Sequence, residues 1–328
     1  MRAPAHWASR GVPGLLLLPL SWLFGGLASL RRLAYRFGLL RSGHPGVPVI
    51  VVGNISAGGS GKTPLVIAVV KLLRSHGLRP GVVSRGYAST AASVELVDAH
   101  SDPARVGDEP VLIAQRAACP VAVAARRLAA AEVLAARDDV DLIVTDDGLQ
   151  HYALQRDIEI AVVDARTGLG NRWLMPAGPL REPPWRLDTV DHVVHSGDAA
   201  GYDVLVSGVH RVDGNAEVRS LGAFSESPVH AVAGIAHPEK FFDTLRSLGW
   251  VFEPHPFADH HRFVPSDLQF DDDLEIVMTE KDAVKCKAFA GPNAWAVRIE
   301  AVLARGWSDA LLRHATELVA HYRGLERA

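Results

Sequence analysis

Residues 47–63, VPVIVVGNISAGGSGKT, join two kinds of hydrophobic pattern through a glycine-rich loop. The β-branched apolar run Val47–Gly53 is typical of a strand buried in a parallel sheet. After the loop, residues 63–76 carry apolar side chains at 65, 66, 69, 70, 72 and 73, which is helical spacing. Pro64 suits the first turn of a helix, and Gly77 marks the end. The stretch predicts a strand, a loop and a helix in succession.

The loop itself has the composition of a phosphate-binding loop. Its glycines let backbone N–H groups close around phosphate oxygens, and the following helix adds partial positive charge. Lys62 is placed to reach the β- and γ-phosphates of a nucleotide, and the Thr63 hydroxyl to help hold Mg²⁺. The usual first glycine of this motif is Ser56 here. The predicted nucleotide-binding residues are Ser56, Ala57, Gly58, Gly59, Ser60, Gly61, Lys62 and Thr63.

Two acids follow another short apolar run. Asp141–Thr145 reads as a strand and leads directly into Asp146 and Asp147. A P-loop enzyme needs an acid at the end of a neighbouring strand for its metal. We therefore predict that Asp146 or Asp147 holds Mg²⁺, directly or through water, and the sequence does not decide between them.

Strands and helices alternate through the first two thirds of the chain. Further strands are predicted at 81–84, 121–124 and 158–163, with a helix at 125–137. This alternation favours a doubly wound parallel sheet. Beyond residue 203 the chain becomes turn-rich, which indicates a ribbon before a second set of strands and helices. We predict an N-terminal membrane-interface segment (1–45), a P-loop domain (46–203), and a smaller α/β domain with the linker ribbon and C-terminal helix (204–328).

Composition and charge limit the classes of protein. With 328 residues, 48% hydrophobic and 22% charged, the chain is globular rather than disordered, collagen-like or a polytopic membrane protein. Two cysteines, Cys119 and Cys286, cannot form a disulfide framework. No acidic residue precedes Glu95, whereas the same stretch carries eleven lysines and arginines. This asymmetry predicts an anionic partner for the first third: nucleic acid, a phosphate ligand or a membrane surface.

The segment Gly11–Leu30 has no charged residue and is flanked by arginines on both sides. Twenty such residues could just cross a hydrocarbon core of about 30 Å. Pro13, Pro19 and several glycines interrupt the run, however. We predict a segment that lies in the membrane interface, with its apolar side in the lipid. A membrane span, a buried core helix and a cleaved signal peptide are the alternatives.

Seven motifs, taken in order, resemble those of the tetraacyldisaccharide 4′-kinases, the lipid A kinases. The resemblance covers nearly the whole chain, including the basic, apolar N-terminus, and the serine in place of the first loop glycine is itself like that family. The motifs are SAGGSGKTP (56–64), SRGY (84–87), GDEP (107–110), DDGLQH (146–151), PLREP (179–183), DHH (259–261) and TEKDAVK (279–285).

The resemblance implies both an activity and a fold. Members of this family transfer the γ-phosphoryl group of ATP, with Mg²⁺, to the 4′-hydroxyl of a tetraacylated glucosamine disaccharide 1-phosphate, and the product is lipid IVA. The implied fold is a P-loop α/β domain with a parallel sheet, joined by a β-ribbon to a smaller α/β domain, with the active site between them. The implied location is the cytoplasmic face of the inner membrane, in a peripheral or monotopic protein.

The resemblance also assigns roles on the acceptor side. The residue that matches Asp108 takes the proton of the acceptor hydroxyl, and the one that matches His260 supports it. A carboxylate–imidazole pair suits this chemistry, since the imidazole can orient the carboxylate and tune its pKa. His261 is the alternative to His260. The spacing of His255, His260 and His261 does not match a zinc site.

Other polar residues are candidates for contact with the acceptor, and Glu109 and His151 could contact either the acceptor or the metal. Arg85 and Arg181 suit the charge of the lipid phosphate or of the transferring phosphoryl group. Each candidate also has an ordinary structural alternative, such as a turn, a surface position or a loop salt bridge. The predicted substrate-binding residues are Asn54, Arg85, Glu109, His151, Arg181 and Glu182.

The expected partners are the acylated disaccharide lipid and an anionic inner-membrane surface. The basic first third contains no nucleic-acid-binding motif, so we expect no nucleic-acid partner. No obligate protein partner is predicted. The alternative function is a membrane-associated P-loop switch ATPase that acts on a protein partner. It predicts ATP hydrolysis without a lipid acceptor.

Overall fold

The computed structural model describes residues 4–86, 93–215 and 217–326. Tyr87, the last residue of the SRGY motif, lies outside the described residues. The α-helices are α1 Val12–Arg36, α2 Lys62–Ser75, α3 Pro103–Val106, α4 Asp108–Ala117, α5 Arg127–Ala135, α6 Pro238–Ser247, α7 Glu280–Cys286 and α8 Arg305–Glu326. The strands are β1 Val49–Gly53, β2 Pro80–Ser84, β3 Glu95–Val97, β4 Val121–Val123, β5 Leu142–Thr145, β6 Ile158–Asp164, β7 His192–Ser196, β8 Tyr202–Arg211, β9 Val218–Arg219, β10 Val229–Ala233, β11 Phe252–Pro256, β12 Glu275–Thr279 and β13 Ala294–Leu303.

The strands form one continuous sheet. Its order is β11-β10-β12-β13-β8-β7-β6-β1-β5-β2-β4-β3, and β9 pairs with β8 outside this path. The six strands from β7 to β4 are mutually parallel, with β1 between β6 and β5. Ligands of such sheets bind at the carboxyl ends of the strands. The loop after β1 and the acids after β5 are therefore neighbours at that edge.

Helices cover both faces of this parallel sheet, which the alternation of patterns predicts. The fully buried β1 supplies Ile50 and Val52 to one hydrophobic cluster and Val49 and Val51 to the other. The first cluster also contains residues of α2, α4 and α8, and the second contains residues of α5. The C-terminal helix α8 thus packs on the P-loop part of the molecule, beside α2.

The second half of the sheet continues through a long antiparallel ribbon. Strand β8 pairs with β13 from Tyr202 opposite Leu303 to Arg211 opposite Trp295. Beyond β13 the strands β12, β10 and β11 run parallel to one another, with α6 between β10 and β11 and α7 between β12 and β13 along the chain. The predicted fold class is confirmed: a P-loop α/β unit and a smaller α/β unit are joined by a β-ribbon.

Helix α1 is attached to the rest of the protein along a narrow stripe. Ser21 Oγ donates to the Leu174 carbonyl at 2.8 Å and accepts a hydrogen bond from the Ala177 amide at 2.9 Å. Within α1, only Gly14 and Ser21 are buried. The alternative of a buried core helix for this segment is therefore wrong, because a core helix buries its apolar side chains.

The opposite face of α1 is apolar and exposed. By length and composition alone α1 could cross a membrane, with 17% of its most apolar window buried. The exposed face is about 180° around the helix from Gly14 and Ser21, at 3.6 residues per turn. Its members are Val12, Leu15, Leu16, Leu20, Trp22, Leu23, Leu27 and Leu30.

Candidate active site

The glycine-rich loop connects β1 to α2, as the sequence predicts. Gly58 and Gly61 have φ angles of +113° and +82°, in the region that glycine occupies without strain. A Cβ on Gly58 would lie 3.1 Å from Nε2 of His237. The Tyr202 hydroxyl donates to the Gly61 carbonyl at 2.8 Å. The loop therefore depends on its glycines for its backbone angles and for the close approach of His237.

Asn54 organises the loop from below. It is fully buried, and its Nδ2 donates to Ser60 Oγ at 3.0 Å. Its Oδ1 accepts a hydrogen bond from Lys62 Nζ at 3.1 Å. Thr63, the next residue of α2, is also buried. These contacts let Asn54 orient Lys62, and its predicted contact with the substrate stays a prediction.

Neighbouring segments hold the remaining loop residues. The Ala57 amide donates to the Pro179 carbonyl at 2.7 Å, and Ser56 forms an isolated antiparallel bridge with Leu180. On the other side, Lys240 Nζ donates to the Gly59 carbonyl at 3.3 Å. The loop thus contacts the PLREP segment and also α6 of the second half.

Asp146 and Asp147 follow β5 and have different surroundings. Asp146 is buried, and neither of its carboxylate oxygens has a hydrogen-bond partner among the described residues. Burial, followed by the charges of Glu109 and Asp147, raises the pKa of Asp146. A buried carboxylate without a donor is a place where a cation compensates the charge. Asp146 therefore fits a direct Mg²⁺ ligand.

Asp147 already has cationic partners. Its carboxylate lies 3.3 Å from Lys62 Nζ and 3.2 Å from Arg181 Nη1. Burial opposes its ionisation, but the charges of Lys62 and Arg181 outweigh burial and lower the pKa of Asp147 to about 2. Arg127, which sequence reasoning missed, donates to the Asp147 carbonyl at 2.8 Å. Asp147 thus ties the Lys62 ammonium to Arg181.

Asp108 is the first residue of α4, and His260, from the second half of the chain, lies beside it. His260 Nδ1 lies 3.5 Å from Asp108 Oδ2. Burial alone would raise the pKa of Asp108, yet the hydrogen bond with His260 and the charges of Lys281 and Lys285 lower it well below its usual range. The same hydrogen bond raises the pKa of His260. These contacts favour the ionised form of the Asp108 carboxylate, beside the His260 imidazole.

The TEKDAVK motif supplies two lysines to this pair. Lys281 Nζ donates to Glu109 Oε1 at 2.7 Å, and Lys285 Nζ lies 4.0 Å from Asp108 Oδ2. Helix α7, which carries both, begins at the Thr279 cap. Sequence reasoning quoted the motif but assigned it no role. The signal was present, since two lysines four residues apart share one face of a helix.

His260 and His261 have different partners. His261 Nε2 lies 2.9 Å from Asp267 Oδ2, within its own loop, whereas His260 reaches Asp108. The backbone of His260 has a φ of +56°. Asp108, His260, Phe263, Val284 and Lys285 line part of a cleft of about 830 Å³. The cleft gives the Asp108 carboxylate access to a ligand.

The predicted substrate residues Arg181 and Glu182 do not pair with each other. Glu182 is buried, accepts from Gln150 Nε2 at 2.7 Å, and lies 3.4 Å from Arg186 Nε. Tyr152 donates its hydroxyl to the same carboxylate. Glu182 is therefore enclosed by protein donors, while Arg181 faces Asp147.

His151 and Arg85 lie near the same edge of the sheet. Burial, with the charges of Arg127 and Arg156 next in size, lowers the pKa of His151 to about 4, so its imidazole is neutral at pH 7. Arg85 follows β2 and is exposed, and its charge also contributes to the lowered pKa of His151. Among the described residues, the structure records no salt bridge for either side chain.

The chain matches known proteins over most of its length. The family model described as tetraacyldisaccharide-1-P 4′-kinase matches residues 14–316. A tetraacyldisaccharide 4′-kinase from Aromatoleum aromaticum is 48% identical, covering 96% of this chain and 97% of that protein. Another from an Azoarcus species is 49% identical over 94% of both chains.

A solved structure agrees with these matches. The crystal structure of LpxK from Aquifex aeolicus in complex with ATP superposes with a TM-score of 0.80 and 25% sequence identity. The match covers 94% of this chain and 100% of that one. The chain belongs to the tetraacyldisaccharide-1-P 4′-kinase family.

Proposed function

We propose that this protein transfers the γ-phosphoryl group of ATP to the 4′-hydroxyl of tetraacyldisaccharide 1-phosphate, giving lipid IVA in lipid A biosynthesis. Family membership supports the reaction and its acceptor. The observation that carries the proposal is the pairing of the Asp108 carboxylate with His260. The next residue of the same helix, Glu109, is close enough for its charge to raise the pKa of Asp146, which follows β5 beside the phosphate loop. This arrangement joins a nucleotide site to a proton acceptor.

Two groups of residues have separate roles, one toward the nucleotide phosphates and one toward the acceptor hydroxyl. We call loop residues 54–63 with Asp146 and Asp147 the phosphate side, and Asp108, Glu109, His260, Lys281 and Lys285 the acceptor side. On the phosphate side, the loop amides and the α2 N-terminus hold phosphate oxygens. The Lys62 ammonium neutralises charge on the β- and γ-phosphates, and Asn54 and Asp147 orient it.

Mg²⁺ is part of the proposal. Asp146, with two buried oxygens and no donor among the described residues, fits the metal better than Asp147, which already contacts two cations. The buried Thr63 hydroxyl is the second expected ligand. When bound, the ion neutralises charge that develops on the phosphate oxygens.

On the acceptor side, the 4′-oxygen attacks the γ-phosphorus, the bond to the β–γ bridging oxygen breaks, and ADP leaves. Asp108 accepts the proton of the attacking hydroxyl. The hydrogen bond with His260 and the charges of Lys281 and Lys285 favour the ionised form of Asp108, which is the form that can accept a proton. His260 holds the carboxylate in place, and Lys281 and Lys285 keep it ionised.

Other predicted positions keep narrower roles in the proposal. Arg85 and Arg181 provide positive charge near the phosphoryl group or the lipid phosphate, and the neutral His151 can accept or donate a hydrogen bond there. Glu109 and Glu182 orient Lys281 and Gln150. The division into 1–45, 46–203 and 204–328 is retained, with α8 packed back on the second part.

The exposed face of α1 supports a location at the cytoplasmic face of the inner membrane, in a peripheral or monotopic protein. Eight apolar side chains on one side of α1 are more than half exposed, and arginines flank the charge-free segment Gly11–Leu30. Such a helix lies in the interface with its apolar face among acyl chains. Arg31, near its end, donates to the Gln150 carbonyl at 3.5 Å. The membrane contact is thus close to the site where the acylated acceptor must arrive.

The test is transfer of label to lipid. Detergent-solubilised protein is incubated with γ-labelled ATP, Mg²⁺ and tetraacyldisaccharide 1-phosphate, with Lys62→Ala as the inactive control. We expect label in the lipid fraction only with the wild-type chain, on the 4′-oxygen by mass spectrometry. Label found only in free phosphate would contradict the proposal and favour the switch ATPase.

A further inference from the structure

A cluster of histidine and carboxylate side chains lies in the second half of the sheet, away from the residues assigned to the kinase reaction. His230 is the second residue of β10, and Glu253 and His255 belong to β11. The parallel register places His230 directly beside Glu253. His255 follows two residues later, on the same face of β11. One ligand atom from each of His230, Glu253 and His255 lies within 4.8 Å of the other two.

We propose that His230, Glu253 and His255 form a binding site for a divalent transition-metal ion of the zinc type. Two imidazole nitrogens and one carboxylate oxygen, with an open fourth position, are a ligand set typical of Zn²⁺. The ion would connect the edge strand β11 to β10. The proposal is independent of the kinase function.

The distances fit one shared ion. His230 Nδ1 lies 3.0 Å from His255 Nε2 and 3.8 Å from Glu253 Oε2. Two ligand atoms at about 2.0–2.1 Å from a tetrahedral zinc ion lie about 3.3–3.4 Å apart. These two separations are within about half an ångström of that value, a difference that small side-chain rotations supply, and the ligand atoms of Glu253 and His255 lie within 4.8 Å of each other.

Asp272 sets the chemical state of His230. Its Oδ1 lies 3.0 Å from His230 Nε2, and the Leu274 amide donates to the same oxygen at 3.1 Å. An ionised carboxylate only accepts, so Nε2 carries the hydrogen, and Nδ1 is the ring nitrogen that can offer a lone pair to an ion. Metal-binding histidines commonly have such a carboxylate partner. The lone pair faces the other two proposed ligands.

The surroundings fix the rings and leave an entry path. His230 is buried, and the Phe270 ring stacks on it at a centroid distance of 3.7 Å. The same phenylalanine lies 4.5 Å from the His255 ring. The Glu253 side chain is 69% exposed, so it can close on an ion that arrives from solvent. The charges of Glu253 and Asp272 balance those of a divalent ion.

Sequence spacing could not show this site. Glu253 and His255 are only two residues apart, but His230 joins them through strand pairing. The histidines that follow His255 have other partners, since His260 meets Asp108 and His261 meets Asp267. A search for histidines close in sequence therefore groups the wrong residues.

The experiment measures metal binding on the full chain without nucleotide, after removal of any affinity tag and dialysis against a chelator. Zn²⁺ is titrated in competition with a chromophoric chelator, and Co²⁺ is titrated with detection of its visible absorption. We expect one equivalent of Zn²⁺ per chain and the intense d–d bands of a four-coordinate Co²⁺ site.

Variants locate the ion. We expect His255→Gln to weaken Zn²⁺ binding at least about 100-fold and Asp272→Asn about 10–100-fold, the scale for outer-shell partners. Glu253→Gln keeps the shape and removes one ligand charge, so binding also weakens. His321→Gln, which removes an exposed imidazole from α8, is the matched control and leaves the affinity unchanged.

A second readout follows the strand rather than the ion. Zn²⁺ should slow amide hydrogen exchange in β11 of the wild-type chain and of His321→Gln, but not in His255→Gln. Lack of a stoichiometric Zn²⁺ site in the wild-type chain would overturn the proposal. Equal Zn²⁺ affinity in His255→Gln and wild type would overturn it too, because the ion would then be held elsewhere, for example at Asp146.

Discussion

The phosphate side and the acceptor side are built in different ways. The phosphate side is mostly one uninterrupted stretch, residues 54–63, and its backbone angles follow from its own glycines. The acceptor side combines Asp108 of α4 with His260 of a loop and Lys281 of α7, which are more than 150 positions from Asp108. The comparison teaches that nucleotide binding is local in the chain, whereas acceptor chemistry depends on how the two halves meet.

The largest expected effect is on the phosphate side. Lys62→Ala removes the ammonium that contacts Asn54 and Asp147, and we expect kcat to fall about 10³–10⁵-fold, the scale for a charge that stabilises the transferring phosphoryl group. The measurement is transfer of labelled phosphate to lipid. Lys71→Ala, further along α2, removes only a partly exposed pair with Glu300 and is the matched control. A fall of less than tenfold would remove Lys62 from its assigned role.

On the acceptor side, Asp108→Asn keeps the shape of the side chain and removes the proton acceptor. We expect a fall of about 10²–10⁴-fold in single-turnover transfer, the range for a general base. Asp139→Asn, which alters an exposed carboxylate paired with Arg137, serves as the control. A variant that transfers at the wild-type rate would show that Asp108 does not accept the proton.

The third prediction concerns the exposed apolar face of α1, which we expect to bind the membrane that carries the acylated acceptor. Leu16→Gln with Leu23→Gln removes two exposed apolar side chains, each worth about 1.5–3 kcal/mol when buried, so vesicle binding should weaken about 100-fold or more. Co-sedimentation with anionic vesicles measures this. Leu205→Gln with Leu325→Gln changes exposed leucines outside α1 and should leave binding intact. Equal loss in both pairs would refute a specific role for α1.

The smallest expected effect is the pH dependence of the Asp108–His260 pair. The pKa of His260 is raised in the folded protein. The pair therefore contributes its full free energy of stabilisation below the unfolded pKa of about 6.5, and this contribution is lost as pH rises through the folded pKa of His260. Denaturant unfolding of wild type and His260→Gln should therefore differ more at about pH 5.5 than at about pH 8.5.

His261→Gln is the control for this titration, because His261 pairs with Asp267 instead. The difference between wild type and His260→Gln should persist when both carry His261→Gln. A gap that grows with rising pH would contradict the raised pKa of His260.

The same comparison explains what the sequence revealed. Hydrophobic runs and the glycine-rich loop predicted β1, α2 and the acids after β5, because each depends on neighbours in sequence. Element ends moved by only one or two residues, as with α2, predicted at 63–76 and found at Lys62–Ser75. The exposure of α1 could not be predicted, since an apolar helix has the same sequence pattern in a protein core and at a membrane.

Contacts between distant segments stayed beyond sequence reasoning. Lys281 and Lys285 were quoted in a motif, but their approach to Glu109 and Asp108 depends on the packing of α7 against α4. Arg127 was missed because an arginine at the start of a helix carries no signal of its contact with Asp147. The burial of Asn54, and with it the bond to Lys62, could not be predicted from sequence either.

The most direct test of the division into two sides is ATP binding by calorimetry to Lys62→Ala and Asp108→Asn, compared with wild type in the presence of Mg²⁺. We predict that Lys62→Ala loses most of its ATP affinity, whereas Asp108→Asn keeps the wild-type Kd although it transfers phosphate poorly. Loss of ATP affinity in Asp108→Asn as large as in Lys62→Ala would contradict the assignment of Asp108 to the acceptor.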